Sequence, residues 1–148
     1  YGFETSIQRQ LGKYFGIYLN HTFTKSSTTG IEGREGDDLQ LPGTAENMFN
    51  ASLSFENKKL VVRVSLNYAS DYLDEIGGEN FEDRYYDTQT FLDINASYAF
   101  TPKWRLFLEA NNLTNQPLRY YQGIQSRTMQ SEFYNARYNF GLKFDLFD

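Results

Sequence analysis

A chain of 148 residues with 12 Tyr, 13 Phe and one Trp can cover a large apolar surface, yet no apolar run nears the ~18 residues of a membrane helix, which excludes a helical span. The formal charge of −5 and pI of about 4.9 argue against a nucleic-acid surface, which would gather Lys and Arg on one face. With no cysteine, a disulfide framework and thiolate metal sites are excluded as well.

In chain order, seven strands are expected, at about 2–9, 15–25, 47–56, 60–72, 88–100, 104–112 and 130–147. The first two are joined by the short turn Gln10 to Tyr14. His21, the only histidine, lies mid-strand in the second on the parity of Ile17, Leu19 and Phe23, where a packed side chain is expected rather than a metal ligand.

From the third strand onward the pattern has a period of two. Phe49, Ala51, Leu53 and Phe55 oppose Asn50, Ser52, Ser54 and Glu56. Leu60, Val62, Val64, Leu66 and Tyr68 oppose Arg63 and Asn67, with Val61 an apolar exception. Leu92, Ile94, Ala96, Tyr98 and Phe100 oppose Asp93, Asn95 and Ser97, with Phe91 a second exception. Trp104, Leu106, Leu108 and Ala110 oppose Arg105, Glu109 and Asn111, with Phe107 a third. The last strand sets Tyr134, Ala136, Tyr138, Phe140, Leu142 and Phe144 against Asn135, Arg137, Asn139, Gly141 and Lys143.

Arg or Lys facing lipid at the bilayer midplane costs roughly 2–4 kcal/mol, so charges confined to one parity are what lipid exposure demands. The lipid-facing residues are therefore expected to include Leu60, Val62, Val64, Leu66, Leu92, Ile94, Tyr98, Leu106, Leu108, Tyr138, Phe140, Leu142 and Phe144. Phe55, Phe100, Trp104 and Phe144 sit near one set of strand ends, and Phe49, Tyr68, Tyr72 and Tyr134 near the other, as two interfacial belts would require. The mean hydropathy of −0.62 does not oppose this, because a barrel wall shows only alternate residues to lipid.

Short turns (10–14, 57–59, 101–103) alternate with long connections (about 26–46, 73–87 and 113–129), and bacterial barrels place the former in the periplasm and the latter outside. Seven strands cannot close by themselves, since an open edge in hydrocarbon leaves unpaired N–H and C=O groups. The expectation is an all-β, antiparallel up-and-down transmembrane β-barrel, of which residues 1–148 supply the C-terminal seven strands, with a plug domain and earlier strands missing. A small complete eight-stranded barrel of structural or adhesive role and a soluble β-sandwich binding module are the competing architectures, since a sandwich also alternates.

The stretch after the sixth strand, Glu109-Ala110-Asn111-Asn112-Leu113-Thr114-Asn115-Gln116-Pro117-Leu118-Arg119-Tyr120-Tyr121-Gln122-Gly123, resembles the C-terminal barrel region of TonB-dependent outer-membrane receptors. Asn112, Leu113, Thr114, Asn115, Tyr120, Tyr121 and Gly123 carry the likeness, with Leu41 to Asn50 and Leu92 to Tyr98 in support. Asn tolerates left-handed backbone, so Asn111, Asn112 and Asn115 suit a strand top turning into a loop. The final strand also resembles an outer-membrane assembly signal, although with Phe147 as its terminal aromatic Asp145 and Lys143 would share the lipid parity.

The resemblance implies active uptake of a scarce nutrient, such as a ferric siderophore, cobalamin or a glycan, energised by TonB through the plug. Partners would be outer-membrane lipid, the remaining strands and plug, TonB and an unidentified small molecule, with no nucleic acid. Arg119, Tyr120 and Tyr121 are the ligand-contact candidates, because Tyr offers area together with a polar tip.

No cofactor or catalytic residue is expected, as the chain lacks a nucleophile elbow, a phosphate-cradling Gly-rich loop and a His-Glu-x-x-His helix. The acidic clusters Glu32, Glu35, Asp37, Asp38 and Asp71, Asp74, Glu75, Glu79, Glu82, Asp83 read as solvated loop charge. The stretch from Asp71 fails the EF-hand pattern at Leu73 and Ile76. Sequons at Asn20, Asn50, Asn95 and Asn112 fall mostly on polar parities inside strands and are not glycan sites.

Overall fold

A computed structural model describes residues 1–145. Its strands are β1 (Gly2–Leu11), β2 (Phe15–Thr24), β3 (Asn47–Glu56), β4 (Leu60–Ala69), β5 (Tyr72–Glu75), β6 (Arg84–Tyr86), β7 (Gln89–Ala99), β8 (Trp104–Asn111), β9 (Leu118–Gln122), β10 (Ile124–Glu132) and β11 (Arg137–Phe144), with a 3₁₀ turn at Asn80–Glu82. A seven-stranded antiparallel wall runs β1-β2-β3-β4-β7-β8-β11, and a four-stranded sheet runs β10-β9-β6-β5.

The second order repeats part of the first. β5, β6, β9 and β10 each continue β4, β7, β8 and β11 beyond the rim that carries the long connections, after breaks at 70–71, 87–88, 112–117 and 133–136. The smaller sheet is thus an upward extension of four wall strands.

Two of the expected strands are divided by these breaks. The strand expected over 60–72 ends at Ala69, and Tyr72 opens β5. The strand expected over 130–147 is two, β10 and β11, because Asn135 takes a left-handed φ of 61° between them. Tyr134 consequently leaves the last wall strand and its belt. Leu146 to Asp148, with the assembly signal at Phe147, lie outside the described residues.

Register joins the apolar parity into one face: Leu60, Val62, Val64 and Leu66 stand opposite Tyr98, Ala96, Ile94 and Leu92, and Leu106, Leu108 and Ala110 opposite Leu142, Phe140 and Tyr138. Little covers that face. Phe140 is 82% exposed and Tyr138 62%, while among the described residues the buried apolar side chains are Ala45, Leu73, Ala110 and Tyr121. A β-sandwich would bury this face against a second sheet; here the second sheet stands above the wall.

The belt at the short-turn rim consists of packed rings, with Trp104 at 4.6 Å from Phe144 and 6.4 Å from Phe100, and Phe15 at 5.1 Å from Phe55. His21 lies on the apolar parity, edge-on to Phe3 at 5.7 Å, with Nε2 3.2 Å from Asn47 Oδ1, so it is a packed side chain. Arg9, opposite Ile17, is a charge on that same parity. It stands two residues from the end of β1, where a long side chain can reach past the rim.

The other face is polar and largely bonded to itself. Asn20 Nδ2 donates to Glu4 Oε1 at 2.8 Å, Arg105 Nη1 to Ser97 Oγ at 3.1 Å, and the Asn112 N–H to Asp93 Oδ1 at 2.8 Å. Phe107 interrupts it for a reason found on the next strand: it pairs with Gly141, and a Cβ at Gly141 would lie 2.5 Å from the Phe107 ring. The ring covers the backbone that glycine leaves bare, an aromatic rescue. Gly141→Val should therefore lower stability by about 1–3 kcal/mol through overpacking, and Phe107→Ala in the same chain should restore part of it. The heat-dependent gel mobility of the folded protein measures both.

Candidate functional site

Alternation along the short upper strands sorts their aromatic residues into two sets. Pairing of Tyr72 with Tyr86 and of Tyr86 with Tyr120 makes a three-tyrosine ladder, with ring centroids 5.5 and 4.8 Å apart. The guanidinium of Arg84 lies 5.4 Å from the Tyr120 ring centroid and is held by Asp74, with Nη2 2.6 Å from Oδ2. On the alternate positions Leu73, Tyr85 and Tyr121 pair in the same way, and the two tyrosines stack at 5.1 Å and 8°. Leu73 is 1% exposed and Tyr121 4%.

Burial disfavours the charged form of four of these phenols, Tyr72, Tyr85, Tyr86 and Tyr121. It raises the Tyr121 pKa, and the hydrogen bond to Asp71 raises it further; Tyr72, Tyr85 and Tyr86 are raised by burial first and by their neighbours Asp74, Asp83 and Tyr120 second. The ladder can offer flat ring faces, hydroxyl hydrogen bonds and one guanidinium. Among the described residues no group of three or more His, Asp or Glu side chains is placed to hold a metal ion.

Of the acidic loop residues expected to be solvated, Glu32, Glu35, Asp38, Glu75, Glu79 and Glu82 are exposed, whereas Asp37, Asp74 and Asp83 are fastened to arginines. Arg34, in the connection between β2 and β3, reaches the one between β5 and β6: Nη1 donates to Asp83 Oδ1 at 2.8 Å and to the Gly77 carbonyl at 2.9 Å, and Nη2 to Asp83 Oδ2 at 3.1 Å and to Asn80 Oδ1. Nε completes the set with Asp37. All five guanidinium donors are thereby engaged.

Asp83, 1% exposed, also accepts from the Gly77 N–H at 2.8 Å, and its own carbonyl accepts from the Gly123 N–H at 2.8 Å, tying in a third loop. Gly123 needs to be glycine on two counts, since φ is +68° and a Cβ would meet the Phe81 carbonyl oxygen at 2.8 Å. Two other acids are paired likewise, Asp74 with Arg84 and Asp87 with Arg119. The signal for this was present in the sequence: Arg34 is the sole basic residue between Lys25 and Lys58, and Arg84 the sole one between Arg63 and Lys103.

The Asn112 to Gln116 element is a knot on the top of β7. Asn112 and Asn115 have φ of 57° and 51°. The Asn112 carboxamide accepts from the Gln116 N–H at 2.8 Å, Thr114 Oγ1 donates to the Thr90 carbonyl at 2.7 Å, and Gln116 Nε2 donates to the Thr88 carbonyl at 3.1 Å. Leu113 joins through its N–H to the Leu92 carbonyl at 2.8 Å.

Of the ligand-contact candidates, Arg119 is tied to Asp87, to Thr128 Oγ1 at 2.8 Å and to the Gln125 carbonyl, and Tyr121 is buried on Asp71. Tyr120 lies on the ladder and remains partly exposed.

Residues 1–113 match the model of the TonB dependent receptor-like, beta-barrel family. The chain belongs to that family. It is also 26% identical over 121 residues to the iron-regulated outer membrane virulence proteins of two Vibrio cholerae serotype O1 strains, Classical Ogawa and El Tor Inaba; the matched stretch is 81% of this chain and 18% of those relatives. No solved structure matches significantly. The family is one of outer-membrane receptors and not of enzymes, and it places the chain in the bacterial outer membrane. The family match stops at residue 113, inside the Asn112 to Asn115 element.

The fastening of the loops carries a pH signature. Burial, the largest single influence on Asp83, pushes its carboxyl up, but the Arg34 hydrogen bond, the Gly77 N–H and the Arg34 charge outweigh it and hold the pKa below the usual carboxylate range. A depressed pKa contributes stability above the ordinary value, about 3.9, which is lost as pH falls from there through the lower folded value. Pepsin should accordingly begin to cut within 26–46 only below about pH 4, whereas Arg34→Leu should admit cutting there throughout pepsin's range. Peptide mapping of the digests reads both.

Proposed function

We propose that this chain forms part of the wall and the extracellular loops of an outer-membrane receptor that takes up a scarce nutrient, with a ferric siderophore as the first candidate and cobalamin or a glycan as the others. The observation that carries this is the family match over a wall whose apolar face lies uncovered. The name of the Vibrio relatives, iron-regulated, favours iron chelates. Because the matched stretch is under a fifth of those relatives, the remaining strands, the plug and its coupling to TonB lie in other parts of such a protein.

The thirteen residues from Leu60 to Phe144 named above meet lipid in this reading, and the opposite face lines the lumen. Two substitutions one position apart test it: Val64→Arg should cost roughly 2–4 kcal/mol in folding into bilayers, and Ser65→Arg little. Equal effects would remove the lipid assignment.

At the mouth, Tyr120, with Tyr72 and Tyr86 beside it, is the contact, while Arg119 and Tyr121 hold the sheet that presents it. Tyr120→Ala in the intact receptor should weaken uptake of a radioiron-loaded siderophore by about 5- to 30-fold, equivalent to loss of a ring contact of 1–2 kcal/mol. Asp87→Asn should act through loosening of the loop instead. Undiminished uptake of catecholate and hydroxamate chelates by a Tyr120→Ala, Tyr86→Ala double variant would remove the ladder from the binding site.

A further inference from the structure

The basic residues at the short-turn rim have no part in the uptake reading. Each of the three turns carries lysine: Lys13 between β1 and β2, Lys58 and Lys59 between β3 and β4, and Lys103 between β7 and β8. Arg9, on the apolar parity of β1, joins them. All five are exposed, and among the described residues Arg9, Lys13, Lys58 and Lys59 enter no ion pair.

Backbone hydrogen bonds set these turns side by side. The Glu56 N–H donates to the Tyr14 carbonyl at 2.7 Å, the Ala99 N–H to the Lys59 carbonyl at 2.7 Å, and the Asp145 N–H to the Lys103 carbonyl at 3.0 Å. With strands ~4.8 Å apart, successive hairpins place their lysines roughly 10 Å apart along the rim.

We propose that this row holds the headgroups of anionic phospholipids in the leaflet that meets the short turns, each cation standing against a lipid phosphodiester. This rests on the lipid assignment made above, because it takes the apolar face of the wall to be set in a bilayer.

Three observations favour it. The cations lie just beyond the ring belt, with Lys13 Nζ 5.3 Å from the Tyr14 ring centroid and that ring 5.9 Å from Phe55. Rings at the headgroup level with ammonium groups past them is the depth order of a membrane interface. Carboxylates do not compete on the lipid side: residues 12–14, 57–59 and 100–103 contain none, Glu56 stands on the polar parity, and Asp145 lies 3.4 Å from Lys143 Nζ. The opposite rim has the reverse balance, since the connections 26–46 and 70–88 hold five and seven acidic residues against one arginine each. Anionic headgroups are therefore drawn to one end of the wall and repelled from the other.

Native mass spectrometry of the intact receptor, released from nanodiscs of equal phosphatidylglycerol and phosphatidylethanolamine, reads which lipid is retained. Phosphatidylglycerol should be favoured, and Lys13→Gln, Lys58→Gln and Lys59→Gln together should lower that preference by about fivefold or more, the worth of at least one cation at an anionic surface. The same three positions changed to Arg should keep it. Equal retention of the two lipids, or a preference that the Gln variant leaves unmoved, would overturn the proposal while the receptor reading stands. Displacement of phosphatidylglycerol by millimolar inorganic phosphate would make the row a small-anion site and overturn it likewise. Retention of neither lipid, together with equal effects of Val64→Arg and Ser65→Arg, would remove the lipid assignment and the proposal with it.

Discussion

Everything in the wall follows from the absence of water along its outside. A peptide group there must find its partner on a neighbouring strand, which admits a continuous antiparallel ladder, and the pleat of that ladder then forces each second side chain outward. The register of β3, β4, β7, β8 and β11 keeps Arg63, Arg105, Arg137 and Lys143 in one face and most of the aliphatic and aromatic residues in the other, with Val61, Phe91 and Phe107 on the charged side. The exception at Phe107 is local compensation, a ring laid over Gly141. A conventional core is not needed, which is why buried apolar side chains are so few.

Above the rim the constraint reverses. There water competes for every backbone group, and four short strands bury too little apolar area to hold long connections in place. Paired charges and stacked rings take over: Arg34 on Asp83, Arg84 on Asp74, Arg119 on Asp87, and Tyr85 on Tyr121. Asp83 is the point of convergence, since its side chain fastens one loop and its carbonyl another. Fixing these loops leaves Tyr72, Tyr86 and Tyr120 as a preformed surface; in the binding role proposed above, that would lower the ordering entropy a ligand has to overcome.

The wall was legible because lipid writes its demand at every second residue. Leu60 to Tyr68 and Trp104 to Ala110 state face, period and direction with no knowledge of their neighbours. The division of the last strand was not legible: Tyr134 and Ala136 continue the parity of Tyr138 and Phe140, so alternation runs straight across the turn at Asn135. The acidic loops misled for a related reason, since a carboxylate that meets a cation 49 positions away looks the same in sequence as one that meets solvent. Among Arg119, Tyr120 and Tyr121 adjacency hid the outcome, because consecutive positions on a strand face opposite ways. Asn112 and Asn115, by contrast, took the left-handed backbone that their residue type suggested, while Asn111 stayed in β8.

The two rims also differ in how much change in chain length they can absorb. The lower connections close in a few residues, and Asn57 caps one of them by accepting from the Lys59 and Leu60 N–H groups at 2.8 Å, so an added residue there would shift the phase of the following strand. Gly30 sits at the opposite extreme, with open space around it and positive φ, four residues short of the anchor at Arg34. Insertions would therefore be tolerated at that loop tip without disturbing the barrel beneath.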